Sequence, residues 1–442
     1  MNIRLSDHFT YTKLLRFAVP SIGMMIFTSI YGVVDGYFVS NFVGKTSFAS
    51  INFISPVVMI LGTIGFMFGS GGSALISKTM GEGKTKKANQ LFSLLIYTTI
   101  ILGTILTIFG LISIRLIASV LGAEGLLLEQ SVLYGQIVLI ALPVYMLQIE
   151  FQTFLAMAEK PHLGLAVTIA SGITNIILDA LFIIVFKWGI GGAAMATAFS
   201  QMIGGIVPLI YFSCPNSSLY RLRKANYDGK ALFKVCINGS SELMACISSS
   251  LVGILYNVQL IKYAGEDGVA AYGVLMYVNM VFLAAFIGYS NGTAPIVSYH
   301  YGAGNHSELK GLLRKSLMII GLFSVCMFGL SEILAKPLSI LFVGYNSELL
   351  KITLRGFLIF SFNFLFAGFG IYGSAFFTAL NNGLISAAIA FLRTLVFQLG
   401  AILLLPIIWG VDGIWISIVV AEIMASFVST LFIAKKRKEY HY

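Results

Sequence analysis

Charge is scarce in this sequence. Of its 442 residues only 10 % are Asp, Glu, Lys or Arg, while 58 % are hydrophobic; a soluble domain carries about 25 % charge. The stretches 46–77 and 188–220 contain no charged residue at all, which excludes a water-soluble globular chain. Cysteine is scarce too. Cys214, Cys236, Cys246 and Cys326 show no Cys-x-x-Cys spacing, so a thiol-redox or zinc site has no basis and the four read as small buried hydrophobes. The five histidines, His8, His162, His300, His306 and His441, fall in loops, tails or span ends without metal-ligand spacing. No nucleophile–base set accompanies them, which argues against a membrane-embedded enzyme. Gly-Lys-Thr occurs at 44–46 and 83–85, but Val39 and Lys78 stand where a P-loop needs glycine. Bound ATP is therefore not expected to supply energy.

What is present is apolar length. A helix rises about 1.5 Å per residue and the hydrocarbon core is about 30 Å thick. On that scale the sequence predicts an all-α polytopic membrane protein with twelve transmembrane helices. The spans are approximately 15–40, 47–77, 89–114, 130–157, 163–186, 189–212, 235–261, 269–299, 314–334, 354–380, 384–408 and 412–434. Residues 1–13 are polar and no small-residue cleavage site follows the first apolar run, so that run is expected to be retained.

The net charge of +10 does not point to nucleic acid, because its distribution follows the spans. Lys and Arg cluster before span one, around 78–87 and 221–234, at 310–315 and in Lys435–Lys438. Few fall in the alternate loops. This positive-inside bias places both termini in the cytoplasm, in a plasma membrane.

The chain is one half written twice. At an offset of 221 residues, Met80-Gly-Glu-Gly83 meets Tyr301-Gly-Ala-Gly304, Gly44 meets Gly265, and Trp188-Gly-Ile-Gly-Gly192 meets Trp409-Gly-Val-Asp-Gly413. Six spans per copy is an even number, so the copies share an orientation. They predict two pseudo-symmetric six-helix lobes, a parallel repeat whose axis runs along the membrane normal. The expected divisions are 1–213 for the amino-terminal lobe, 214–234 for a cytoplasmic linker and 235–442 for the carboxy-terminal lobe.

The chemistry lies in the few polar residues inside spans. Asn175 and Asp179 stand at i and i+4 in span five, on one helical face. An acid at that depth costs several kcal/mol unless it faces partners or water, so an ion or proton site is the first reading. Asp35 in span one, Tyr134 in span four and Thr197 in span six lie at similar depth near the outer face. Two carboxylates, an amide and hydroxyls suit a dehydrated cation or a shared proton; helix-to-helix hydrogen bonding is the plainer alternative. At the 221 offset Asp179 becomes Gly400, Asn175 becomes Val396, Thr197 becomes Ile418 and Asp35 becomes Tyr256. A duplicated scaffold with an unduplicated cluster is poorly explained by structural need. Glu150, Glu242 and Arg393 form a second set, either a structural Glu242–Arg393 pair or part of a substrate or second-lobe polar site. The role of Glu422 in span twelve is open.

These residues resemble the multidrug and toxin extrusion (MATE) family of secondary transporters. The resemblance covers essentially the whole chain. It rests on Pro20 with Tyr31-Gly-Val-Val-Asp35-Gly, on Asn175-x-x-x-Asp179 with Leu181-Phe182, and on Gly189-x-x-Gly192-Ala-Ala-x-Ala-Thr197. It implies two lobes around a central cavity, exporting amphipathic, often cationic, compounds against inward flow of H⁺ or Na⁺. By position, Asp35, Asn175, Asp179, Thr197 and Tyr134 would form the cation-coupling site, the first four ligating the metal if the ion is Na⁺. No cofactor is expected beyond that ion. The expected partners are a small amphipathic substrate and the lipid bilayer, with a monomer as the working unit. A lipid-linked saccharide flippase, an uptake symporter and a channel are the competing readings.

Overall fold

The computed structural model describes residues 3–344 and 346–442, and no β-strand occurs among them. Thirteen α-helices follow one another: α1 (Tyr11–Phe38), α2 (Lys45–Gly81), α3 (Thr85–Val120), α4 (Gly125–Ile140), α5 (Leu142–Met157), α6 (Pro161–Asp179) and α7 (Gly189–Ser213) precede α8 (Gly229–Gly302), α9 (His306–Val343), α10 (Ser347–Phe360), α11 (Phe364–Ala379), α12 (Gly383–Phe391) and α13 (Gln398–Tyr440). Wider, π-type turns continue α1 through Val39–Val43, continue α6 through Ala180–Val185, and join α12 to α13 through Leu392–Phe397.

Twelve crossings emerge once the bends are counted. A straight helix of 74 residues would be roughly 110 Å long, several times the hydrocarbon core. Instead Gly265 (φ 64°, ψ −155°) reverses α8 and Gly410 (φ 57°, ψ −131°) reverses α13. Tyr256 and Tyr272 flank Gly265, and their rings stack at 5.2 Å; a straight helix would hold them about 24 Å apart. In the opposite sense, α4 and α5 are one span bent by 59° just before Pro143. The helices of spans three and nine outrun the apolar runs 89–114 and 314–334, because Lys86, Lys87, Lys310 and Lys336 extend the helices while their head groups reach the interface.

The duplication is visible in the backbone. Three glycine pairs separated by 221 residues all adopt positive φ: Gly44 and Gly265, Gly83 and Gly304, Gly189 and Gly410. The contact between halves obeys the same symmetry. A Cβ on Gly81 would stand 2.1 Å from the Tyr299 carbonyl oxygen, and one on Gly302 would stand 2.1 Å from that of Lys78; each contact is the 221-residue image of the other. Likewise Gly71 lies on Gly239, and Gly292 lies on Ala18 and Ser21. Only glycine lets helices approach this closely.

These crossings all lie on the side of the bundle that carries the two termini. There α1, α2 and α8 are joined, and the buried residues of α1 run only from Leu14 to Met24. Beyond Met24, the α1 residues up to Phe38 are half-buried or exposed. Residues before α1 strap the closed side. Leu5 and Phe9 are buried, the Leu5 N–H donates to Glu159 Oε1 at 2.7 Å, and the Phe9 N–H donates to Glu308 Oε1 at 2.9 Å across the two halves. His8 Nδ1 lies 2.5 Å from the other Glu308 oxygen, and Lys315 donates to the Phe9 carbonyl.

Candidate functional site

In the first half α1 packs along α6, α6 along α7 and α7 along α4. This arrangement brings Asp35, Asn175, Asp179, Thr197 and Tyr134 to one locality from four spans. Asp179 is fully buried, Asn175 is 1 % exposed and Tyr134 is 6 % exposed. Asp179 is the last residue of α6 before its π-type turn, and Asp35 lies four residues before the turn that ends span one. Such turns change the helix register, frequently at functional sites.

The electrostatics of the pair are unusual. The Asp35 and Asp179 carboxyl groups are close enough to act on each other electrostatically, and no described lysine or arginine acts on either. Both oxygens of Asp179, one of Asp35, the Asn175 carbonyl oxygen and the Thr197 hydroxyl are buried without a hydrogen-bond partner. Buried polar atoms are normally satisfied. Two carboxylates this close need a proton or a cation between them. The Tyr134 hydroxyl lies close enough to sense both acids.

Two further residues belong here that reading the sequence did not single out. Tyr31, one turn before Asp35, lies near Gln148 of α5. Gln148 Nε2 is 3.4 Å from Ser171 Oγ, which donates to the Ser200 carbonyl at 2.6 Å. A polar seam thus leads from the acids toward the closed side. The signal was Tyr31 at i−4 from Asp35, together with a glutamine inside an apolar span. Glu150 is not part of this cluster: it is fully buried beside Thr99 of α3 and against Gly69 of α2, with both oxygens unpartnered.

The second half arranges its charges differently. Glu242 and Arg393 line one cavity of about 130 Å³ with Ser290, Asn291, Ser374 and Thr394. They are not an ion pair. Arg393 Nε donates to both oxygens of Glu422, at 3.1 and 2.8 Å, correcting the expected Glu242–Arg393 pair. Span eleven is widened at Leu392–Phe397, and this turn packs against α13, which carries Glu422. The cysteines also depart from expectation: Cys214 and Cys326 are exposed, and Cys236 and Cys246 only half-buried. A thiol loses nothing by facing lipid, so hydrophobicity does not force it inward. No group of three or more His, Cys, Asp or Glu side chains that could hold a metal ion occurs among the described residues.

The family model described as MatE matches residues 20–181 and 243–403, once in each half. The chain is 24 % identical over 441 residues to a multidrug export protein MepA of Staphylococcus haemolyticus (strain JCSC1435), covering 97 % of this chain and 94 % of that one. A second MepA, from Staphylococcus saprophyticus, is 25 % identical over 435 residues, covering 96 % and 93 %. Among solved structures, a multidrug resistance MATE family transporter of the MOP superfamily in an outward-facing conformation superposes with a TM-score of 0.93 at 22 % identity, covering 98 % of this chain and 97 % of that one.

Proposed function

The chain belongs to the MatE family of membrane transporters, and from that premise we propose that it exports amphipathic, mainly cationic, small molecules by antiport against H⁺ or Na⁺. The observation that carries the reading is the Asp35–Asp179 pair, Asp179 fully buried and Asp35 half-buried, without a described basic partner and present in only one half of a duplicated scaffold. An ion arriving at the pair relieves the repulsion between two acids, and one leaving restores it. That difference is the free energy a gradient needs in order to bias one lobe arrangement over another. Asn175, Thr197 and Tyr134 complete an oxygen-rich surround suited to either ion.

We place both termini in the cytoplasm on the charge bias, so that the Gly81–Tyr299 and Gly302–Lys78 contacts close the inner side. The segment 214–234 is taken as the linker between lobes 1–213 and 235–442. The likeness to MepA multidrug exporters supports export as the direction of transport. Against the flippase reading, Arg393, the one basic residue deep in a span, is already neutralised by Glu422.

Reconstituted vesicles loaded with an organic-cation dye, under a proton or a sodium gradient imposed separately, test the proposal. One of the two gradients is expected to drive dye movement opposite to the ion. Dye that equilibrates alike with and without a gradient, or that accumulates in the direction of the ion, contradicts it.

A further inference from the structure

The two halves differ at one place on the membrane-facing surface. In the first half α3 and α7 both pack on α5, and the furrow between them is covered by the chain itself. Tyr220 is fully buried there, its ring 5.3 Å from that of Phe92. The Arg221 N–H donates to Asn89 Oδ1 at 3.3 Å, the Arg223 N–H donates to Ser93 Oγ at 3.0 Å, and the Leu222 N–H donates to the Phe212 carbonyl at 2.9 Å.

In the second half α9 and α13 pack on α11 in the corresponding way. Between them is an open groove of about 520 Å³, its apolar lining formed by residues such as Leu313, Leu317 and Ile433. Its rim carries Lys310, Arg314 and Arg437. At the 221-residue offset Lys310 stands at Asn89, Arg314 at Ser93 and Arg437 at Asn216. Two positions that hold neutral backbone in one half, and a third beside them, are therefore cations in the other. None of the three has an Asp or Glu partner among the described residues. Arg437 Nε donates to the Tyr442 main-chain oxygen at 3.1 Å. From the rim toward the bilayer centre the apolar wall continues through Leu322, 63 % exposed, and Phe427, 69 % exposed.

We propose that this groove holds an anionic phospholipid of the surrounding bilayer, its phosphate among Lys310, Arg314 and Arg437 and its acyl chains along α9 and α13. Charge selects the head group: three cations on one rim complement a phosphate, as basic pockets between spans do elsewhere. Apolar length selects a lipid, since no soluble anion would use the wall below the rim. The lipid braces α9 against α13 where residues 220–223 brace α3 against α7. This inference rests on the fold and the charge pattern and is independent of the transport reading.

The test uses the full-length protein, delipidated in detergent and titrated with phosphatidylglycerol or phosphatidylcholine. Bound lipid is read by native mass spectrometry and stabilisation by thermal unfolding. Phosphatidylglycerol is expected to bind and stabilise in preference to phosphatidylcholine. The triple variant Lys310→Gln, Arg314→Gln, Arg437→Gln is expected to bind it about a hundredfold more weakly, while Lys435→Gln, Lys436→Gln, Lys438→Gln leaves binding unchanged. Should the triple variant fail to fold, Arg314→Gln alone is expected to lose about fivefold. Equal binding of the two lipids, undiminished binding by the rim variants, or a dimer that covers the groove and excludes lipid would each overturn the proposal.

Discussion

Asp35 on α1 and Asp179 on α6 present their carboxyl groups to each other, and among the described side chains neither has a cation beside it. If the pair were structural glue, removing one acid would cost stability. If it is a loading site that tolerates repulsion, removing one acid relieves it. Asp35→Asn is therefore expected to unfold at the same temperature as the wild type or higher, with a gain of up to about 1–2 kcal/mol. Thermal unfolding in detergent at neutral pH decides; a loss of several kcal/mol would favour the structural role.

Arg393 and Glu422 give the opposite expectation. Their side chains are 14 % and 3 % exposed, and the arginine engages both carboxylate oxygens. Arg393→Met strands a buried carboxylate and is expected to destabilise by about 3–5 kcal/mol. Arg393→Met with Glu422→Met is expected to recover most of that loss. The same pair of melting curves would show no recovery if Glu242 were the real partner.

The strap over the closed side has a pH signature. Burial alone would raise the Glu308 carboxyl above its ordinary 4.5, but the Phe9 N–H and the His8 imidazole outweigh it and hold it below that value. A depressed folded value means the contribution is complete above the ordinary glutamate range and is lost as pH falls through the folded value. Protection of the Phe9 amide from hydrogen exchange should accordingly persist at pH 6 and fall below about pH 4. Glu308→Gln should weaken it at both pH values, and unchanged protection in that variant would remove Glu308 from the strap.

Gly81 tests the closure between lobes. A valine there meets backbone, the Tyr299 carbonyl, which cannot rotate away. Overpacking of this kind costs about 1–3 kcal/mol, and parting the lobes on the side of the termini relieves it. Spin labels at Lys87 and Lys310, on the two sides of the contact, should report a longer distance in Gly81→Val. An unchanged distance would mean that the close glycine approach does not hold the lobes together.

Much of this was legible in the sequence. Charged residues inside apolar runs are rare and costly, so Asp35 and Asp179 stood out, and shared depth was enough to group them. The glycines kept at a 221-residue offset carried the duplication because positive φ makes the residue type obligatory at each copy. Helix rotation was not legible. Depth placed Arg393 level with Glu242, but the wide turn at Leu392–Phe397 directs it to Glu422. The strap was missed because Leu5 and Phe9 are two apolar residues in a polar leader, a pattern too short to separate from a tail. The cysteines were placed inside because burial follows hydrophobicity in water, whereas in a bilayer the outward face is equally favourable.

The central claim is that the acid pair converts an ion gradient into transport. Its most direct measurement is gradient-driven dye efflux from vesicles containing Asp179→Asn, beside equilibrium dye binding and thermal unfolding of the same preparation. The account predicts a folded variant that still binds dye but moves it no faster with the gradient than without. Gradient-driven efflux at the wild-type rate would contradict it.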